Sequence, residues 1–252
     1  MTGIVGSTGA SNSVSQNGYP VTTLPAPLQV PQLDVGYRAF KNRITGPGSG
    51  SFSAWTDLQP VPISGPISPV YGPELTMARG LVDAGETLNV MAYNQGGTPI
   101  NPDWLGSIGN AALIFFRTAW LEHFAAYGEY PRLRAWVHYG FADALDPTDA
   151  ANLAANLGTW IARVRNFFLA PRLPVFLPWS DGLLIYPHGA TAIAQLEAYV
   201  AGDADAYQVD NSGLPVEPGD PIHLTSDGIQ GLGNRLATAI GAVAHPFYRS
   251  PV

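Results

Sequence analysis

An α/β fold, a three-layer sandwich with a mostly parallel sheet, is predicted by three observations. From residue 70 onward, apolar segments of strand length alternate with segments of helical period. Proline or a capping residue stands at the start of several helical segments. The apolar fraction is 46% in 252 residues, enough for a sheet buried on both faces. Together these predict one domain over 1–252, with a Pro- and Gly-rich loop region at about 18–70.

The elements follow in order. Residues 1–20 are rich in Gly, Ser and Asn, and composition predicts disorder there, with Ile4–Gly6 a poor strand at best. Nine prolines punctuate residues 20–70, leaving room for short strands at Leu33–Phe40 and Phe52–Leu58. Pro73 opens a helix through about Ala84. Thr87–Tyr93 alternates and then runs apolar, as a strand does. Ile108–Tyr127 is a long apolar helix, and Leu133–His138 a short strand. From Pro147, the residues Leu153, Leu157, Trp160, Ile161, Val164 and Phe168 keep the helical period. Pro174–Pro178 and Ala206–Val209 are strands, and Ala190–Val200 and Asp227–Val243 are helices. In such sheets ligands sit beyond the carboxyl ends of the strands.

Composition excludes several function classes. The net charge of −7 lacks the basic face that nucleic acid requires. There are no cysteines, so disulfides, thiolate metal sites and a cysteine nucleophile are excluded. The five histidines form no metal-type pair with a carboxylate cluster, and no cofactor is expected. No run of about 18 apolar residues predicts a membrane span. The start is not of secretory type, so synthesis in the cytosol is expected, with incorporation in a virus particle as one route out.

Four segments carry chemistry. Gly9-Ala10-Ser11-Asn12 would be a strand-to-helix turn offering a serine, though a serine in a loose terminus explains it as well. Gly96-Gly97-Thr98 follows a strand and could aim backbone N–H groups at an oxyanion, or be an ordinary turn. Gly140-Phe141-Ala142-Asp143 follows the next strand, where Asp143 could fix the loop or accept a hydrogen bond. Asp220-Pro221-Ile222-His223 offers a base and its orienter, close enough for one loop or helical turn. Thr225, Ser226 or Asp227 then caps the last helix.

Taken in order, these segments resemble the SGNH hydrolases, and among them the sialate O-acetylesterase-like and acetylxylan-esterase-like carbohydrate esterases. Gly9-Ala10-Ser11-Asn12 is similar to the family's nucleophile segment, Gly72-Pro73-Glu74 to its Gly-Pro-Glu, and Gly96-Gly97-Thr98 to its oxyanion glycine segment. Residues 137–144 are similar to its Trp-His-Gln-Gly-Glu-x-Asp-Ala, and Asp220 and His223, before Leu232-Gly233, to its final Asp-x-x-His. The resemblance implies a flavodoxin-like sandwich and a serine esterase removing O-acetyl groups from a carbohydrate. It implies Ser11, Asp220 and His223 as the triad, with Gly96, Gly97, Gly140, Asn12 and Asp143 around the oxyanion and substrate. The chain departs from the family at Tyr139 and Phe141, which replace Gln and Glu, and at Ala142, where many members place Asn. A second reading is therefore a catalytically weakened glycan-binding or structural module, in a virion or a homo-oligomer. In that reading Trp55, Trp104 and Tyr139, if exposed, would stack on sugar rings.

Overall fold

The structure, a computed structural model, describes residues 3–9, 24–42, 51–52, 55–59, 71–130, 132–140, 142–179, 181–243 and 248–249. Its strands are β1 (Gly3–Gly9), β2 (Gln32–Asn42), β3 (Ser51–Phe52), β4 (Thr56–Leu58), β5 (Leu88–Gln95) and β6 (Arg132–Tyr139). They continue with β7 (Val175–Trp179), β8 (Ala206–Asp210), β9 (Val216–Glu217), β10 (Asp220–Leu224) and β11 (Tyr248–Arg249). The helices are α1 (Glu74–Asp83), α2 (Ser107–Tyr127), α3 (Pro147–Phe167), α4 (Gly189–Gly202) and α5 (Ser226–Ala242).

The main sheet runs β3-β2-β5-β1-β6-β7-β8, with β4 paired to β2 and β11 to β6. The pairs from β2 through β8 are parallel, and β3, β4 and β11 are antiparallel additions. The fold is thus the predicted α/β sandwich. Along each strand, alternate residues enter opposite cores. Ile4, Met91 and Trp136 face α2 and α3, while Val5, Val90 and Val137 face α1 and α5. Continuous burial on both faces explains why the strands read as apolar runs.

The first strand corrects the expectation of a disordered start. β1 is fully buried and lies in the middle of the sheet, between β5 and β6. Composition hides it because its neighbours leave no room for side chains. A Cβ on Gly6 would meet the ring of Trp136, and one on Gly9 would strike the backbone of Tyr139. Gly9 also has φ = +136°, which only glycine adopts without strain. Small residues here reflect large ones on β6, not a floppy chain.

Two further elements differ from expectation. The segment expected as one strand at Phe52–Leu58 is two short ones, β3 and β4, each antiparallel to β2. Asp220–His223 was expected on a loop or helical turn but lies on β10, which pairs with β9 in a separate two-stranded ribbon. Pro215 and Gly219 at the ribbon's start and turn mask its strand character. No helix among the described residues is long and apolar enough to cross a membrane.

Gly6→Ala should destabilise the fold by about 1–3 kcal/mol, the range for overpacking a filled core. Gly202→Ala has open space around the added carbon and should be neutral or slightly stabilising. Urea denaturation of both variants checks this. Equal stabilities would show that Trp136 can yield, and that β1 is glycine-rich for another reason.

Candidate functional site

The strand order reverses direction at β1. The chain proceeds to β2 and β5 on one side of it, then crosses to β6, β7 and β8 on the other. Such a switch point opens a crevice at the carboxyl edge of the sheet. Gly9, the last residue of β1, is in register with Asn94 of β5 and Tyr139 of β6. The carboxyl ends of these three strands therefore share one edge. Gly96-Gly97-Thr98 follows β5 there, and Gly140 follows β6. Ser11 and Asn12 themselves, like Phe141, lie outside the described residues.

The Gly96-Gly97-Thr98 segment is a closed turn. The Thr98 hydroxyl donates to the carbonyl of Gln95 at 2.9 Å and accepts from Trp104 Nε1 at 3.0 Å. Gly96 is buried, Gly97 exposed. Asp143, in the 3₁₀ turn Ala142–Leu145, reaches across from the β6 side, and both its carboxylate oxygens lie 3.1 Å from the Ile100 N–H. It thereby ties the loop after β6 to the loop after β5. Of the two roles the sequence left open, Asp143 fixes the loops. It is fully buried, and burial pushes its pKa up to about 6 against the lowering effect of the Ile100 N–H.

Beneath this edge lies a buried polar floor that sequence reasoning missed. The Thr8 hydroxyl accepts from Trp136 Nε1 at 3.1 Å and lies 2.9 Å from His138 Nδ1. The Trp104 and Trp160 rings surround the imidazole. Burial lowers the pKa of His138 to about 3, so the ring is neutral. The Thr8 hydroxyl thus ties the Trp136 indole to the His138 ring. On the opposite face, buried Glu74 accepts a 2.6 Å hydrogen bond from the Tyr37 hydroxyl. Burial, then the charge of Glu74, raises the pKa of both Tyr37 and Tyr139. Tyr71 and Ser226 join hydroxyls at the start of α5. The signal that could have found the floor was two polar residues, Ser7 and Thr8, in an otherwise apolar or glycine strand.

Asp220 and His223 come together on β10. Asp220 Oδ2 lies 2.5 Å from His223 Nδ1, and Oδ1 accepts from the N–H groups of Ile222 and His223 at 3.2 Å each. One carboxylate thus orients both the ring and the turn that carries it. Burial opposes its charge, but the bonds from the His223 ring and the two amides prevail and lower its pKa. With Nδ1 engaged, Nε2 is the free base position. Strand β10 packs on the turn Asp181–Ile185 that follows β7, which puts the pair at the carboxyl edge. Two of the three aromatics expected to be exposed are not. Trp104 and Tyr139 are buried, because each fills the core beneath the edge; only Trp55 reaches solvent.

A parallel sheet with its crevice at β1 and an Asp-His pair before the last helix is the plan of the SGNH hydrolases. Within that class, the family described as carbohydrate esterase, sialic acid-specific acetylesterase, matches residues 58–242, and the chain belongs to it. Solved structures share the fold at low identity. A protein from Arabidopsis thaliana is 17% identical with a TM-score of 0.71, covering 96% of this chain and 99% of that one. NanS is 14% identical with a TM-score of 0.66, covering 95% and 96%. A carbohydrate acetylesterase from Xanthomonas citri is 15% identical with a TM-score of 0.64; 96% of this chain spans 56% of that longer one. No curated protein sequence matches the chain.

The two buried titrating groups give opposite slopes of stability against pH. Asp143, with its folded pKa raised, favours the folded state at low pH and loses that advantage between about pH 4 and 6. His138, with its folded pKa depressed, does the reverse between about 6.5 and 3. Asp143→Asn keeps an acceptor for Ile100 and removes the first slope. Its stability relative to the parent should grow by about 2–3 kcal/mol from pH 4 to pH 7. A constant difference in urea titrations at the two pH values would show that Asp143 is not held in the way described.

Proposed function

We propose that this chain is a serine esterase that removes O-acetyl groups from a carbohydrate. The observation that carries the reading is the Asp220–His223 pair, preset by three hydrogen bonds to one carboxylate at the carboxyl edge. Membership of a carbohydrate-esterase family supports the substrate class. Although that match begins at residue 58, β1 comes from outside it and sits in the centre of the sheet, which supports one domain over 1–252.

In this reading Ser11 Oγ attacks the acetyl carbonyl carbon while His223 Nε2 takes its proton. Asp220 accepts from Nδ1–H and stabilises the imidazolium. The N–H groups of Ser11 and of Gly96 or Gly97 hold the oxyanion. Collapse returns the proton from His223 to the departing sugar oxygen and leaves an acetyl-serine. Water, deprotonated by the same histidine, then releases acetate and restores the serine. Asn12 and Gly140 border the substrate, and Asp143 holds the two oxyanion-side loops in register. No cofactor enters.

The departures at Tyr139, Phe141 and Ala142 motivate the second reading, a weakened glycan-binding or structural module such as a virion component. Its Tyr139 argument is reduced, since that ring is buried and closes the core instead of lining an open cleft.

Release of acetate from 4-nitrophenyl acetate and from an O-acetylated sugar separates the two readings. Ser11→Ala and His223→Ala should each lose on the order of a thousandfold or more, and Asp220→Asn a comparable factor, because the wrong tautomer then faces the serine. Thermal midpoints should move by no more than a few degrees. Activity equal in parent and Ser11→Ala would leave the binding module as the reading.

A further inference from the structure

We propose that a cavity at the amino edge of the sheet is a second ligand site, and that it takes a neutral sugar residue of a glycan. The cavity holds about 450 Å³, within the usual range of about 300–1,000 Å³ for small-molecule sites. It lies between the starts of β2 and β5, the strand β4 and the C-terminal end of α2. Strand β5 runs from this cavity to Gly96, so the two sites are separated by about 23 Å of strand.

Its walls offer both donors and acceptors. Asn89 is only 8% exposed, yet only its Oδ1 is engaged, accepting from Gly36 N–H at 2.8 Å. Its Nδ2 group has no partner among the described residues, and Asn89 is one of the residues that line the cavity. His123 is 2% exposed, with Nδ1 3.3 Å from the Glu129 carbonyl, so that nitrogen carries the proton. Burial lowers its pKa, and Nε2 remains an acceptor. Asp57 adds a carboxylate with no partner among the described residues. Two aromatic walls complete the cavity. Trp55 is anchored by Nε1 to the Ala119 carbonyl at 2.9 Å, and Tyr127 is exposed, its ring 4.6 Å from that of His123.

This mixture selects a ligand class. A sugar hydroxyl both donates and accepts, so it can engage an amide donor, an imidazole acceptor and a carboxylate together. Its C–H face packs on aromatic rings. An anionic sugar is disfavoured by Asp34, Asp57 and Glu129, and by the negative end of α2. A cation gains nothing from the Asn89 donor, and Asp34 already pairs with Arg79 at 3.1 Å. Nor is this a metal site: among the described residues, no three His, Asp or Glu side chains are placed to hold an ion. The inference stands on the cavity's own residues and fails or survives independently of the esterase reading.

The test uses the whole chain and ligands that carry no ester. Methyl glycosides of glucose, galactose, mannose and xylose are titrated by saturation-transfer NMR, with N-acetylneuraminic acid and tetramethylammonium as comparison probes. At least one neutral glycoside should bind with a millimolar Kd. Asp57→Ala and Tyr127→Ala should each weaken it by about fivefold or more. Both variants should keep the parental circular-dichroism spectrum and a thermal midpoint within a few degrees of the parent, which shows that they are folded. The proposal is overturned if no neutral glycoside binds at up to about 50 mM. It is equally overturned if only tetramethylammonium or the acidic sugar binds, or if neither substitution weakens the neutral glycoside.

Discussion

The close approach of β1 and β6 is the constraint on which the rest of the molecule depends. Trp136 lies over Gly6, and the backbone of Tyr139 against Gly9, where any larger residue would force the strands apart. Because β1 is the switch strand, this contact also sets the carboxyl edge. It places the end of β1, at Gly9, between the ends of β5 and β6. The same tryptophan donates to Thr8, and Thr8 holds His138. Packing in the centre and the polar floor under the crevice are thus one arrangement.

Around that centre, two ties make the crevice rigid from opposite sides. Asp143 joins the loop after β6 to Ile100, so that the glycine turn after β5 cannot drift independently. Asp220 does the equivalent on the other side, clamping both the imidazole and the backbone of the turn that presents it. Each tie is a carboxylate receiving backbone N–H bonds, but the environments differ. Asp143 is fully buried and burial dominates its ionisation, whereas Asp220 is partly exposed and its hydrogen bonds prevail. One carboxylate holds structure at some electrostatic cost; the other is favoured in its charged form while it holds the His223 ring.

The two edges of the sheet have different chemistry for a topological reason. At the carboxyl edge stand the glycine turns after β5 and β6 and the Asp220–His223 pair. At the amino edge the first residues of β2 and β5 and the end of α2 bring carboxylates, an amide and aromatic rings around a cavity. A chain with few charges overall still concentrates three carboxylates there.

The sequence by itself determined the alternation of strands and helices from residue 70 on, because burial on two faces writes long apolar runs and helical periods that need no partner to be read. The five long helices and strands β5 to β8 lie within a few residues of their expected places. It also displayed the Asp220–His223 spacing, since three residues set that distance locally. What only the tertiary structure decided is everything that depends on a neighbour far along the chain. The glycines of β1 carry no strand signal until Trp136 and Tyr139 stand beside them. Trp104 and Tyr139 look like surface rings until the packing encloses them. Asp143 shows its purpose only when Ile100, 43 residues away in sequence, comes within 3.1 Å. Trp55, Asp57, Asn89 and His123 have no common motif at all, and become a site only because β2, β4, β5 and α2 end at one place.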